Sequence, residues 1–114
     1  MGKKRLNQVS ELIRQEMAQI FLREMEFPRE CLVTITKVET SEDFEHARIW
    51  VSVLPATFAH KVISLLDKDI YHLQKLLNRK LVMHFVPKVR FLIDHSLEKS
   101  EKINMLLDNV KDER

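Results

Sequence analysis

Glycine and cysteine are nearly absent from this chain of 114 residues, since each occurs only once, as Gly2 and Cys31. Without further glycine, no glycine-rich loop can cradle a phosphate through its backbone N–H groups. A single cysteine excludes an internal disulfide framework and favours a reducing compartment, with Cys31 as a buried structural thiol. The five histidines are not spaced as metal ligands are, so we expect neither a metal nor another cofactor.

Long hydrophobic runs are also missing from the sequence. No apolar stretch approaches the ~20 residues that a membrane-spanning helix requires. The basic start, from Met1 to Arg5, is not followed by the apolar core of a signal peptide. These absences predict a cytoplasmic protein with no membrane partner. No constellation of nucleophile, base and carboxylate stands out, so we expect no enzymatic activity and no small-molecule substrate.

The net charge of +2 conceals an uneven distribution of charge along the chain. Residues 55–90 carry seven lysines and arginines against two acidic residues, whereas residues 31–54 and 91–114 each have a net charge of −2. Charge of one sign gathered in one segment indicates an anionic partner better than the total charge does.

Two periodicities define the first half of the chain. Apolar residues recur at three- and four-residue steps, which predicts a helix over about 5–26 that Pro28 ends. After it, alternating residues predict two strands joined by the polar turn 40–43. Val38 falls out of step with the apolar residues before it, so we expect a bulge near Lys37.

Trp50 lies on the polar side of the second predicted strand. An aromatic ring at such a position can stack on a nucleotide base, as aromatic residues on sheet faces do. The alternative is that the ring packs beneath a helix or against a neighbouring strand. Packing is favoured, because no second aromatic residue stands two positions away on the same strand.

The longest periodic stretch follows Pro55, with Thr57 as its expected N-cap. Apolar residues from Val62 to Leu81 keep the helical period without a glycine or proline among them. If this helix is straight, basic residues fall near one line on its other side, at 100° per residue. A stripe of this kind is as often a solvated face as a binding surface. Its members are Lys61, Lys68, His72, Lys75 and Arg79.

Residues 81–85 are predicted to run extended, and a third strand beyond Pro87 is predicted to end near Asp94. The remainder has apolar residues at helical spacing, which predicts a short helix. We therefore expect one α+β domain over 1–96, with a three-stranded sheet covered by helices, and a C-terminal helix or tail over 97–114.

The order helix, strand, strand, long helix, strand is the pattern of a KH-like domain of type II topology. In its residues the sequence resembles the ribosome-binding factor A family over nearly its whole length. The resemblance is carried, in the right order and spacing, by Val9–Glu16, Pro28–Arg29, Val33–Asp43, His46–Val53 and Val86–Leu97.

The resemblance implies a non-enzymatic, monomeric RNA-binding protein. Such a protein joins immature small (30S) ribosomal subunits and assists late folding and processing of their 16S rRNA, including in the cold. The family does not use the G-x-x-G clamp of conventional KH domains, and this chain has none. Family members usually carry an Ala-x-Gly kink in the long helical element, where Asp69, Ile70 and Tyr71 stand here. These residues leave open whether the helix kinks, and a kink would split the basic stripe.

We expect rRNA to be held mainly through phosphate contacts, with shape rather than base identity giving selectivity. The main predicted contact comprises basic residues of the long helix and two beyond it: Lys68, His72, Lys75, Arg79, Lys80, Lys88 and Arg90. Secondary candidates lie in the first helix or just before it: Lys3, Lys4, Arg5 and Arg14.

Two other functions are compatible with the sequence. A KH-like module can bind RNA outside ribosome assembly, and a protein-interaction adaptor can dock through an apolar C-terminal helix around Leu106 and Leu107. Salt separates RNA binding from apolar docking, because phosphate contacts weaken steeply as salt is added.

Overall fold

Three helices and three strands make up residues 2–96, the part of the chain that this computed structural model describes. Their order is α1 (Gly2–Glu24), β1 (Leu32–Thr40), β2 (His46–Leu54), a 3-10 turn (Ala56–Phe58), α2 (Ala59–Lys68), α3 (Ile70–Lys80) and β3 (Lys88–Ile93). The sheet has the order β1-β2-β3, with β2 antiparallel to β1 and parallel to β3. The α2–α3 pair supplies the crossover that a parallel strand needs. The predicted α+β class and three-stranded sheet are confirmed.

α1 is an amphipathic helix that begins three residues before its predicted start and ends two residues before its predicted end. Its core side is one stripe of buried residues at three- and four-residue steps: Val9, Ile13, Met17, Ile20 and Phe21. The ring of Phe21 lies 5.8 Å from that of Phe91, centroid to centroid, so α1 shares its core with β3. The chain leaves the helix four residues before Pro28, as a proline requires.

The β1–β2 hairpin contains the predicted bulge. Ile35 pairs with Val51 and Lys37 pairs with Trp50, which leaves Thr36 as the extra residue. The Thr36 hydroxyl donates to the Asp94 carboxylate at 2.6 Å. This bond is the main reason why the pKa of Asp94 falls to about 2. The extra residue also returns the following apolar side chains to the core side of the sheet.

The two faces of the sheet have different surroundings. One face packs into the core with the helices through buried side chains, which in β2 and β3 include Ala47, Ile49, Val51, Val89 and Phe91. Alternate residues of a strand point to opposite faces, so the intervening positions point away from this core. Three of them are exposed basic residues: Arg48, Lys88 and Arg90. We call this second side of the sheet the open face.

The long helical element is broken at Asp69, which separates α2 from α3. Asp69 has φ −99° and ψ 11°, outside the helical region but sterically allowed for any residue. Its N–H donates to the Leu65 carbonyl at 3.2 Å, and its carbonyl accepts from the Leu73 N–H at 2.9 Å. The break therefore needs no glycine or alanine, and it answers the question that the residues at 69–71 left open.

Two local predictions in this half of the chain are wrong. Thr57 does not cap a helix, because it lies within the 3-10 turn and α2 begins only at Ala59. The Phe58 N–H donates to the Pro55 carbonyl at 3.1 Å and closes this turn. Residues 81–85 do not run extended throughout: Leu81 has extended angles, but the chain bends at His84 and Phe85, and none of the five belongs to a strand.

None of the helices in residues 2–96 is long and apolar enough to cross a membrane. The predicted C-terminal helix or tail, 97–114, lies outside the described residues.

Candidate nucleic-acid interface

The outer side of α3 carries free positive charge. Leu73 and Leu77 are fully buried on its inner side. At 100° per residue, the opposite side carries Tyr71, Lys75 and Arg79, all of them exposed. Within residues 2–96 none of these three side chains has a hydrogen bond or ion pair. We call Tyr71, Lys75 and Arg79 the α3 face.

Tyr71 is a candidate that the sequence pattern did not single out as a contact. Its side chain is 85% exposed, which is unusual for a large aromatic residue without a packing role. Lys75 lies one turn further along the same side of the helix. An exposed ring among basic side chains is the arrangement that single-stranded nucleic acid uses for stacking. The sequence feature that could have identified Tyr71 is its position among lysines on the polar side of the helix.

The break at Asp69 divides the predicted basic stripe. Lys61 belongs to α2 and lies close enough to Cys31 to oppose the rise in that thiol's pKa, so it is separated from the α3 face. Lys68, the last residue of α2, is exposed and unpaired within the described chain. His72 is already engaged, since its Nε2 lies 3.6 Å from an Oε2 of Glu24 on α1.

The end of α3 meets the start of α1. Lys80 is the last residue of α3, and the segment just after it, Val82 to Phe85, lines a cleft of about 590 Å³ together with Arg5. Arg5 also lies over the ring of Phe44, 5.9 Å from its centroid. Lys3 and Lys4 precede Arg5 in the same helical turn and are exposed. The structure therefore brings three of the four secondary candidates near the end of the α3 helix.

Arg14, the fourth secondary candidate, is neutralised within α1. Its Nε donates to an Oε2 of Glu11 at 2.9 Å, and its Nη2 contacts the other carboxylate oxygen. This pairing lowers the pKa of Glu11 and raises the pKa of Arg14. Arg14 also lines a cleft with Thr36 and Lys37 of β1. It lies on the β1 side of α1 and is not part of the basic cluster at the end of α3.

Lys88 and Arg90 lie on the open face rather than beside the α3 face. In the parallel β2–β3 pair, His46 stands in register with Lys88, and Arg48 stands in register with Arg90. All four are exposed. We call these four residues the β2–β3 patch. Sequence reasoning found its β3 half but missed His46 and Arg48, because the pairing partner of a strand is not visible in its own pattern.

Trp50 also lies on the open face, two residues along β2 from Arg48. Its indole N–H donates to an Oε1 of Glu39 at 2.6 Å, and the Lys37 ammonium lies 5.1 Å from the ring centroid. Both partners are on β1. The favoured prediction, packing against a neighbouring strand, agrees with this arrangement.

Among residues 2–96 the potential metal ligands do not cluster, and the surroundings of the single cysteine disfavour its thiolate. No group of three or more His, Cys, Asp or Glu residues among residues 2–96 is placed to hold a metal ion. Cys31 is half-buried, and its thiol donates to the Pro28 carbonyl at 3.3 Å. Burial, and then the nearby Glu30, raise the pKa of this thiol, which disfavours the reactive thiolate.

The fold defines the class: a mixed three-stranded sheet with α1, α2 and α3 on one face is a KH-like α+β domain. The family is defined by sequence. The family model described as ribosome-binding factor A matches residues 5–107, and the chain belongs to this family. Ribosome-binding factor A of Halothermothrix orenii is 34% identical over 99% of this chain and 93% of its own length. The protein of that name from Coxiella burnetii is 30% identical over 91% of this chain and 87% of its own length.

Solved structures show the same fold. The crystal structure of ribosome-binding factor A from Thermus thermophilus superposes with a TM-score of 0.69 at 20% sequence identity, covering 80% of this chain and 97% of that one. A homology model of the Thermus thermophilus factor, fitted into a cryo-EM map of a 30S–RbfA complex, superposes with a TM-score of 0.65 at 21% identity. It covers 79% of this chain and 96% of its own.

Proposed function

We propose that this chain binds immature small (30S) ribosomal subunits through their 16S rRNA and assists the late folding and processing of that RNA, including in the cold. It acts as a monomer, in the cytoplasm and without enzymatic chemistry. Family membership and the 30S complex of the Thermus relative support the ribosomal partner.

The observation that carries the RNA contact is the unneutralised charge of the α3 face. Lys75 and Arg79 have no ion pair within residues 2–96, and Lys68 and Lys80 extend this free charge along α2 and α3. Free surface cations bind phosphates without first losing an internal partner. His72 is a weaker contact, because a phosphate has to compete with Glu24 for it.

The mode of binding follows from the same chemistry. Lysines and arginines on a convex helix reach phosphate oxygens rather than base edges, so they position the protein without reading sequence. Selectivity for an immature subunit then comes from the shape of its rRNA. Tyr71 adds a stacking surface for an unpaired base beside these contacts.

Co-sedimentation with purified ribosomal particles tests the proposal. We expect the unmodified chain to sediment with free small subunits, only weakly with complete ribosomes, and less as salt is raised. Substituting Lys75→Glu and Arg79→Glu together should weaken subunit binding by about tenfold or more. The free energy of unfolding, measured by thermal denaturation, should change by no more than about 0.5 kcal/mol, because both side chains are exposed and unpaired in the described chain.

A charge-matched control uses two other exposed basic residues that lie outside the α3 face. Arg23→Glu combined with Lys61→Glu changes the net charge by the same amount and should leave subunit binding nearly unchanged. If the Lys75/Arg79 variant binds as tightly as the unmodified chain, the α3 face is not the contact. If the unmodified chain sediments with no ribosomal particle at all, the proposed function is wrong.

A further inference from the structure

The β2–β3 patch places two like charges side by side, because Arg48 and Arg90 are register partners. The adjoining register pair sets Lys88 against His46. Neighbouring strands lie about 4.8 Å apart, so each pair holds its two backbone positions at that spacing. Like charges directly opposite one another destabilise a sheet. An anion bound between Arg48 and Arg90 offsets this cost.

The carboxylates near this patch are bound to other groups within residues 2–96. Glu39 of β1 stands in register with Arg48, but its carboxylate accepts from the Trp50 indole and pairs with Lys37. Asp94 accepts from Thr36, and Asp43, which lies near His46, accepts from Ser41. Arg48, Lys88 and Arg90 have no hydrogen bond or ion pair to any described side chain.

The patch also borders a cavity whose lining is suited to a phosphate group. A cavity of about 490 Å³ is lined by all four patch residues and otherwise only by Ala47, Ile70 and Val89. Its lining includes no acidic residue. Two pairs spaced two residues apart along a strand lie about 6.6 Å from one another, so the four side chains can surround phosphate oxygens of one backbone segment.

The patch and the α3 face point to different sides of the domain, although Ile70, the first residue of α3, also lines the cavity beside the patch. Lys88 and Arg90 point to the open face of the sheet. α3 buries its leucines in the core, so Lys75, on the opposite side of α3, points away from that core. One straight RNA strand cannot lie along both surfaces at once. Phosphate binding at each surface therefore requires two backbone segments.

We infer that the β2–β3 patch is a second RNA-phosphate-binding surface, and that one copy of this chain holds two segments of RNA backbone at once, one on each surface. This inference rests on the proposed function and extends it. Two RNA segments held by one small rigid domain are kept at a fixed separation. That property suits a factor acting on RNA whose helices are still being arranged.

The substitution Arg90→Glu gives the sharpest test, because stability and binding should respond in opposite directions. It replaces the like-charge pair with an attractive pair of Arg48 and a carboxylate, so the melting temperature should be unchanged or higher. RNA binding should weaken. The plot of the logarithm of the binding constant against the logarithm of the salt concentration should become less steep, by about the amount that one phosphate contact contributes. Lys61→Glu is the matched control and should leave both the affinity and the salt slope unchanged.

A bridging assay tests the second half of the inference. The full chain is bound to an immobilised RNA duplex, and capture of a second, labelled duplex is measured at low salt. The unmodified chain should capture the second duplex. Both Arg90→Glu and the Lys75→Glu, Arg79→Glu variant should bind the first duplex but lose most of this capture.

The outcomes separate the two proposals. If Arg90→Glu binds and bridges normally while the Lys75/Arg79 variant loses subunit binding, the proposed function stands and the second surface is refuted. If Arg90→Glu weakens subunit binding without changing the salt slope for RNA, the patch contacts a protein and the inference is wrong. If neither variant loses affinity for subunits or RNA, both proposals fail.

Discussion

Gln74 connects α3 to the edge strand β3, and its replacement by leucine is expected to destabilise the domain. The side-chain amide donates to the Pro87 carbonyl at 3.1 Å, and its carbonyl oxygen accepts from the Val89 N–H at 2.8 Å. Val89 is 3% exposed, so water cannot readily replace the lost acceptor. Gln74→Leu removes both of these bonds, and an exposed one to Asn78 Oδ1 at 3.0 Å, while keeping a side chain of similar size.

The expected cost follows from these two bonds. Each intramolecular hydrogen bond contributes about 1 kcal/mol net, and a buried N–H left without a partner costs about 1–3 kcal/mol. We expect Gln74→Leu to lower the free energy of unfolding by about 2–3 kcal/mol. For a chain of this size, that corresponds to a melting temperature lower by roughly 8–12 °C.

Urea and thermal unfolding followed by circular dichroism measure this cost. Gln15→Leu is the control, because Gln15 is an exposed helical glutamine whose amide donates only to Glu11. Its cost should stay within about 0.5 kcal/mol. A Gln74→Leu variant as stable as the Gln15→Leu control would show that the Gln74 bonds do not hold β3 to the helix.

Two further predictions concern titratable groups. The lowered pKa of Asp94, about 2 in the folded chain, means that its bond to Thr36 stabilises the fold above the unfolded-state pKa near 3.8, and that this stability is lost as pH falls toward 2. The difference in stability between the unmodified chain and Asp94→Asn should therefore shrink between about pH 4 and pH 2, and a constant difference would contradict this account. Because burial raises the pKa of the Cys31 thiol, alkylation of the folded chain near pH 7 should be slower than alkylation in urea, and equal rates would show an accessible, reactive thiol.

Much of the architecture is local and was therefore predictable. The buried positions of α1 follow the helical period of its own sequence. The bulge at Thr36 was visible because Val38 stood out of step with Ile35 and had to return to the core side. The helical stretch before β3 was also predicted, although as one long helix, because the apolar stripes of α2 and α3 continue the same period.

Sequence patterns were less informative where a neighbouring residue or segment, rather than the local periodicity, determines the structure. Thr57 is a good helix cap by type, but it lies inside the 3-10 turn that follows Pro55, so α2 starts two residues later. The break at Asp69 uses backbone angles that every residue can adopt, so no small residue announces it. Arg14 stays a predicted RNA contact, but its pairing with a glutamate three residues earlier on the same helix could not be read from the apolar pattern.

The sequence by itself determined which side of each helix and strand is apolar, because a period of 3.6 or 2 is written in the order of residues. It also determined that the positive charge gathers in residues 55–90. Only the tertiary structure decided which charges become neighbours. Parallel pairing with β3 sets Arg48 against Arg90, and the break at Asp69 separates the α3 face from Lys61. A periodicity defines the face on which a side chain lies, whereas its partner is set by packing between distant segments.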